Sequence, residues 1–297
     1  MSGYKTFAVA GAGDIGRFII EELLRHFQDG SVSKVVALTR TSEGYDDLKA
    51  KGALFEQVDY SNRSDIVAAL QGIDVVVSAI SGGALAVQVP LADAAKEAGV
   101  KHFVLSEYGN PSIGKSYGIF AVKNKVRQHL LDIDLPYSQF FTGPFSDWFF
   151  VGHEDWGFDL PNGKVIVRGS GNVPISWTAS VDIARYIVYV LTHLSPADLR
   201  NKPFALEGER RTIHQILEEY QRRTGKKLEI TYETTEFLEK QVKEHPDDYE
   251  NGLIRMLFLE WERGDGQTGA PEEVNKYWPE FNPTRAVDAI LGLYESH

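Results

Sequence analysis

Between Lys5 and Phe141 the chain alternates short apolar runs with stretches of helical period, and that alternation limits the folds open to it. Strands are expected at Lys5–Ala10, Lys34–Thr39, Ala53–Asp59, Asp74–Ile80, Lys101–Glu107 and Tyr137–Phe141. Helices are expected between them at Ile15–Phe27, Asp46–Lys51, Asp65–Leu70, Val87–Ala98 and Ile119–Leu131. In the first helix Phe18, Ile19, Leu23 and Phe27 recur near helical spacing. A strand that feeds a helix that feeds a strand builds parallel units. The strands are near-continuously apolar rather than alternating, as in a sheet covered on both faces.

The turn out of the first strand carries Gly11, Gly13 and Gly16 in the pattern G-x-G-x-x-G. Alone that pattern is weak; between a strand and a helix it marks a dinucleotide loop. The first glycine permits the tight turn, the second lets backbone approach a pyrophosphate, and the third lets helix and strand pack closely. The first amides of the helix, at Asp14 and Ile15, would face the anion. The plain alternative is three glycines serving a turn only. With this loop the expected fold is α/β, a Rossmann-type doubly wound parallel sheet. Its ligand crevice lies beyond the carboxyl ends of the strands.

The end of the second strand selects the nucleotide. An acid there would bind a ribose 2′-hydroxyl, but the chain reads Thr39, Arg40, Thr41, Ser42. A guanidinium pairs with a 2′-phosphate, and hydroxyls can assist. The reading is NADPH over NADH, with Thr39, Arg40 and Ser42 as contacts. The fourth strand ends in "SAISGG", where Ser81 is a further contact, and the fifth ends in "LSEYGNP".

After Thr142 the rhythm breaks into aromatic, loop-rich sequence containing Phe145, Trp148, Phe149, Phe150, Trp156 and Phe158. A smaller C-terminal substrate lobe is expected over 142–297, with a segment at about 170–195 returning to the dinucleotide domain of 1–141. Phe145, Trp148 and Phe149, together with Tyr108 and Tyr117, are candidate substrate contacts; the competing role for the aromatic residues is core packing. Later helices are expected at Asp182–Thr192 and Ile213–Thr224. The second has Thr212 and Gln215 in capping-box spacing and Gly225 at its end.

The chain has no cysteine, which excludes disulfides, thiolate metal sites and a cysteine nucleophile. His153 and His214 stand alone, and no spacing suits a metal. The net charge of −11 argues against a nucleic-acid partner. With no long apolar run and no leader pattern, a cytoplasmic protein without membrane attachment is expected. Oligomeric state is not legible.

Three further stretches, "HFVLSEYG", "FAVKNKVRQHLLDIDLPYSQF" and "WTASVDIARYIVYVL", resemble the NmrA-like branch of atypical short-chain dehydrogenases. The likeness points to the isoflavone reductase and phenylcoumaran benzylic ether reductase group, fungal members included. It implies a Rossmann domain with a substrate lobe and hydride transfer from NADPH to a small, aromatic or polycyclic metabolite. It also places the group's proton-handling lysine, in its K-x-K-x-R-like helix, at Lys123 as donor or orienter, beside the nicotinamide ribose. On spacing alone Lys123, Lys125 and Arg127 read as a solvated helix face. The group's G-x-x-G-x-x-G has Ala10 in its first position here, with Gly11 as the extra glycine. The Tyr-x-x-x-Lys couple of ordinary short-chain dehydrogenases is absent, since Ile119 stands four residues before Lys123. Two other functions stay open: an NAD(P)-binding redox sensor without turnover, and an isomerase or rearrangement enzyme on the same fold.

Overall fold

A computed structural model describes residues 3–41, 43–151, 156–245 and 249–292. The chain forms two compact units. One comprises Met1–Glu107, Ser112–Phe140 and Ile183–Phe204; the other comprises Tyr108–Pro111, Phe141–Asp182 and Ala205–His297. The returning stretch is thus Ile183–Phe204 where about 170–195 was expected. Its displacement has a local cause: residues 164–168 and 175–177 are strands of the second unit's own small sheets.

The first unit is built on β1 (Thr6–Ala10), β2 (Lys34–Thr39), β3 (Leu54–Gln57), β4 (Val75–Ser78), β5 (His102–Val104), β6 (Tyr137–Phe141) and β10 (Lys202–Ala205). They lie in the order β10-β6-β5-β4-β1-β2-β3. The pairs from β6 through β3 are all parallel. The sequence runs outward from β1 in both directions, so the switch point falls between β1 and β4, as expected for a doubly wound sheet. Successive β1 residues Phe7, Ala8, Val9 and Ala10 are all buried, which covers both faces. On one face Ala8, Val36, Val76 and Phe103 pack with Leu91, Ala94, Val126 and Leu130 of the helices α4 (Gln88–Glu97) and α5 (Gly118–Asp132).

Helix α1 (Asp14–Arg25) buries Ile15, Ile19, Ile20, Leu23 and Leu24. Phe18 is only half-buried and Phe27 lies beyond the helix, so the buried stripe sits one residue away from the spacing read in the sequence. Strand β5 is shorter than expected. A 3-10 turn at Gly82–Val87 precedes α4, because "SGGALAV" leads into the helix without a side-chain cap.

The second unit holds two small sheets. In one, β8 (Lys164–Arg168) runs antiparallel to β7 (Phe158–Asp159) and parallel to β12 (Glu229–Glu233). In the other, β9 (Ile175–Trp177) pairs antiparallel with β11 (Glu209–Arg211). These strands, and the helices α10 (Thr235–Glu244) and α11 (Tyr249–Glu262), are absent from the sequence reading. Helix α9 (Ile213–Thr224) follows it residue for residue. Thr212 and Gln215 close the capping box, and Gly225 takes φ +71° to end the helix.

Phe149 sits at the centre of this unit's core. It is 1% exposed and lies within 6.0 Å, centroid to centroid, of Phe150, Trp156, Phe158, Trp177, Phe258 and Trp261. Six rings leave it no face for a ligand, so its expected place as a substrate contact is corrected to packing.

Candidate functional site

The glycine loop separates two kinds of glycine. Gly11 has φ +100°, and its amide donates to the Leu38 carbonyl at 3.0 Å as the chain leaves β1. A Cβ on Gly16 would lie 2.1 Å from the Gly11 carbonyl oxygen and 3.1 Å from the Ala79 Cβ. Both positions are glycine because this turn needs them. Gly13 is different. Its φ of −79° suits any residue, and a Cβ there would meet nothing within 4 Å. The fold does not require a glycine at Gly13, while a ligand backbone-close to the loop would.

The space above Gly13 is a cavity of about 850 Å³ within the first unit. Gly11, Ala12 and Gly13 line it after β1, and Thr39, Arg40 and Thr41 after β2. Gln57, Val58, Asp59 and Tyr60 follow β3, and Ala79, Ile80 and Ser81 follow β4. All come from carboxyl ends of strands, at the switch point. Of the expected cofactor residues, Gly11, Gly13, Thr39, Arg40 and Ser81 therefore line one cavity. Asp14, Ile15, Gly16 and Lys123 are not in its wall, and Ser42 lies outside the described residues. Gly13 is the N-cap of α1, with no side-chain cap, so the helix opens on the loop through its backbone amides.

The wall after β2 is braced from inside. The Thr39 hydroxyl donates to the Thr41 carbonyl at 2.6 Å, and Gln57 Nε2 donates to the Arg40 carbonyl at 3.1 Å. The Tyr60 hydroxyl donates to the Leu38 carbonyl at 3.1 Å. Burial pushes the Tyr60 phenol up, and the nearby Arg40 charge pulls it part of the way back. Thr39 thus shapes the turn with its hydroxyl, while the exposed Arg40 guanidinium has no carboxylate partner among the described residues. Arg17 of α1, by contrast, is paired with Asp47. The donor set fits an anionic dinucleotide: open backbone at Gly13, helix amides, and an exposed guanidinium at the rim. Gln57 at the end of β3 and Asp59 and Tyr60 after it, like Tyr45, escaped the sequence reading as site residues. Their only signal was that they follow a strand beside β2.

A second cluster stands at the end of β5, at the same end of the parallel sheet. Lys123 on α5 is 7% exposed, so it is not part of a solvated helix face. Its Nζ donates to the Glu107 main-chain carbonyl and lies 3.4 Å from Glu107 Oε2. Glu107 Oε1 accepts from the Ser112 hydroxyl at 2.5 Å, with Arg127 3.9 Å away. Asn124 Nδ2 donates to the Ser112 carbonyl at 2.9 Å. The turn itself is held by Gln88 of α4, whose Oε1 accepts from the Ser106 amide at 2.7 Å.

Among the other expected contacts, Tyr117 is exposed, its ring edge-on to Phe120 at 5.7 Å. In the second unit Phe145 and Trp148 are half-buried, and Trp148 meets Trp156 edge-on at 5.6 Å. Also in that unit, the Tyr108 hydroxyl is buried with no hydrogen-bond partner among the described residues, and burial pushes its pKa up. His153 lies outside the described residues. His214 Nε2 is engaged 3.1 Å from the Ser170 carbonyl. Among the described residues no group of His, Asp and Glu could hold a metal, and no helix is long and apolar enough to cross a membrane.

Known proteins resemble this chain along nearly its whole length. It is 28% identical over 255 residues to an isoflavone reductase homolog of Nicotiana glauca, covering 82% of this chain and 81% of that protein. It is 28% identical over 258 residues to a phenylcoumaran benzylic ether reductase of Pyrus communis, covering 80% of each. The solved structure of AtPrR2 with NADP+ and (+)-pinoresinol superposes with a TM-score of 0.81 at 23% identity, over 98% of this chain and 100% of that one. The leucoanthocyanidin reductase–NADPH complex of Vitis vinifera gives 0.80 at 18% identity, over 97% and 98%. At such identities the structures establish a shared fold. The sequence profile of the NmrA-like family matches residues 4–288, and the chain belongs to that family.

Proposed function

We propose that this protein is an NADPH-dependent reductase of a small aromatic or polycyclic metabolite. The observation that carries the reading is Gly13: an open, unstrained glycine facing a cavity whose rim presents the exposed Arg40 guanidinium. The curated relatives named above, a phenylcoumaran benzylic ether reductase among them, support the reaction class. The loop of Gly11–Gly13 and the first amides of α1 would hold the pyrophosphate, with Arg40 on the 2′-phosphate and Ser81 along the cofactor.

When bound, NADPH supplies the hydride. Lys123 Nζ holds a proton that an oxyanion formed on the substrate can take, and one of its three donors can instead orient a ribose hydroxyl. Half-buried Phe145 and Trp148, and Tyr108, offer surfaces suited to a planar ligand. The test is a metabolite screen that follows NADPH consumption and product mass. Consumption with a product two mass units heavier is expected. Tight NADPH binding with no turnover of any compound would favour an NAD(P)-binding regulator, and a product of unchanged mass an isomerase.

A further inference from the structure

We infer that Glu107 is the positioning residue for Lys123, fixing where its ammonium sits. The kinetic part of this inference rests on the reductase reading; the chemical part does not.

The geometry is unusual in that one residue anchors the lysine twice. The main-chain carbonyl of Glu107 accepts one N–H of Lys123, and its carboxylate faces Nζ through Oε2 at 3.4 Å. An ammonium has three donors; one is on the Glu107 carbonyl, and at least one is left for a ligand. The Glu107 side chain is wholly buried, and Oε2 makes no hydrogen bond among the described residues. A buried carboxylate without water is costly unless a cation stands against it. Two do here, Lys123 at 3.4 Å and Arg127 at 3.9 Å, one helical turn apart on α5. The carboxylate is itself immobilised by the Ser112 hydroxyl on Oε1, and Ser112 is tied to α5 through Asn124. A further titratable group against this cluster is Tyr137 of β6. Burial raises its pKa most; Arg127 lowers it and Glu107 raises it further.

A carboxylate whose only task was to neutralise Lys123 and Arg127 would be replaceable by anything that preserved the fold. A positioning residue also holds the amine against its anchor, and so sets where it meets a ligand and how far it is shielded from a reagent.

Glu107→Gln and Glu107→Asp are compared with the wild type in two assays. The first labels the apo protein with acetic anhydride at one pH and reads the rate of Lys123 acetylation by mass spectrometry. The rate is expected to rise severalfold in Glu107→Gln, where the amine is no longer held, and to return toward the wild-type value in Glu107→Asp. The second is turnover. In Glu107→Gln, kcat is expected to fall on the order of tenfold to a hundredfold, as for a misplaced catalytic group. KM for NADPH should stay unchanged. A changed labelling rate in a protein that turns over no substrate supports the pairing and counts against the reductase reading. A natively folded Glu107→Gln, judged by circular dichroism, with wild-type labelling rate would overturn the inference. If Glu107→Gln does not fold, Glu107→Asp decides: a shortened carboxylate that leaves both labelling and kcat unchanged also overturns it.

Discussion

The Gly11 carbonyl oxygen lies so close to Gly16 that a single methyl group on Gly16 would reach within 2.1 Å of it. Because the obstacle is backbone on both sides, no rotamer change relieves it. Gly16→Ala is therefore expected to destabilise the apo protein, on the order of 1–3 kcal/mol as for overpacked sites. Thermal unfolding of the apo protein checks it.

Gly13→Val should do the opposite. The backbone at Gly13 is ordinary and the space beside it is open, so the apo melting temperature should change little. NADPH affinity, measured by calorimetry, should fall by about a hundredfold or more, roughly 2.7 kcal/mol. A large loss of apo stability would instead make Gly13 a turn residue.

Arg40→Asp should separate the two nucleotides. It replaces a guanidinium at the rim of the cavity by a charge that repels a 2′-phosphate and suits a 2′-hydroxyl. Titration with each nucleotide should show NADPH weakened on the order of tenfold to a hundredfold, the worth of a charge-assisted hydrogen bond, with NADH weakened far less. Equal losses would remove Arg40 from the site.

Lys123→Met keeps the aliphatic length of the side chain and deletes the ammonium. Single-turnover reduction is expected to slow on the order of 10²–10⁴-fold, with a modest change in NADPH affinity. Reduction at the wild-type rate would sink the proton-donor role.

His102 should make stability depend on pH. It is wholly buried, and its Nε2 lies 2.8 Å from the Ser138 hydroxyl, which donates to the Leu199 carbonyl. Burial, with a smaller contribution from Arg200, lowers its pKa to about 3. The unfolded chain takes up a proton near pH 6.5 that the folded chain refuses, so stability present above that pH is lost as pH falls toward 3. The slope is about 1.4 kcal/mol per pH unit for this one group. His102→Gln, which keeps a donor for Ser138, should lose less stability than the wild type between pH 7 and pH 5 in denaturant titrations.

The sequence was most legible where one physical requirement dominates. Strand β2 and helix α9 begin and end where an apolar run and caps place them, because a buried parallel strand is largely apolar and a capping box names its own helix start. The cavity wall after β3 was not legible, since Gln57, Asp59 and Tyr60 belong to it by adjacency rather than by motif. Lys123 illustrates the limit more sharply. Three basic residues at alternate positions of one helix look the same in sequence whether solvated or buried, and only Glu107, sixteen residues away in sequence, tells them apart. Phe149 and Trp148 sit side by side in an aromatic run that carries no sign of which ring is enclosed.

The first unit is not contiguous: its last strand, β10, follows about sixty residues after β6. While the chain is being made, β6 must wait as an open edge, its Tyr137 carbonyl lacking the Asn201 amide and its Ser138 hydroxyl lacking the Leu199 carbonyl. At the usual pace of synthesis, about 5–20 residues per second, that interval lasts several seconds. An unpaired strand edge is an aggregation hazard for as long as it persists. A nascent chain halted between residues 142 and 200 is thus the form of this protein most in need of a chaperone, and a gene fragment ending near residue 141 would make that form permanent.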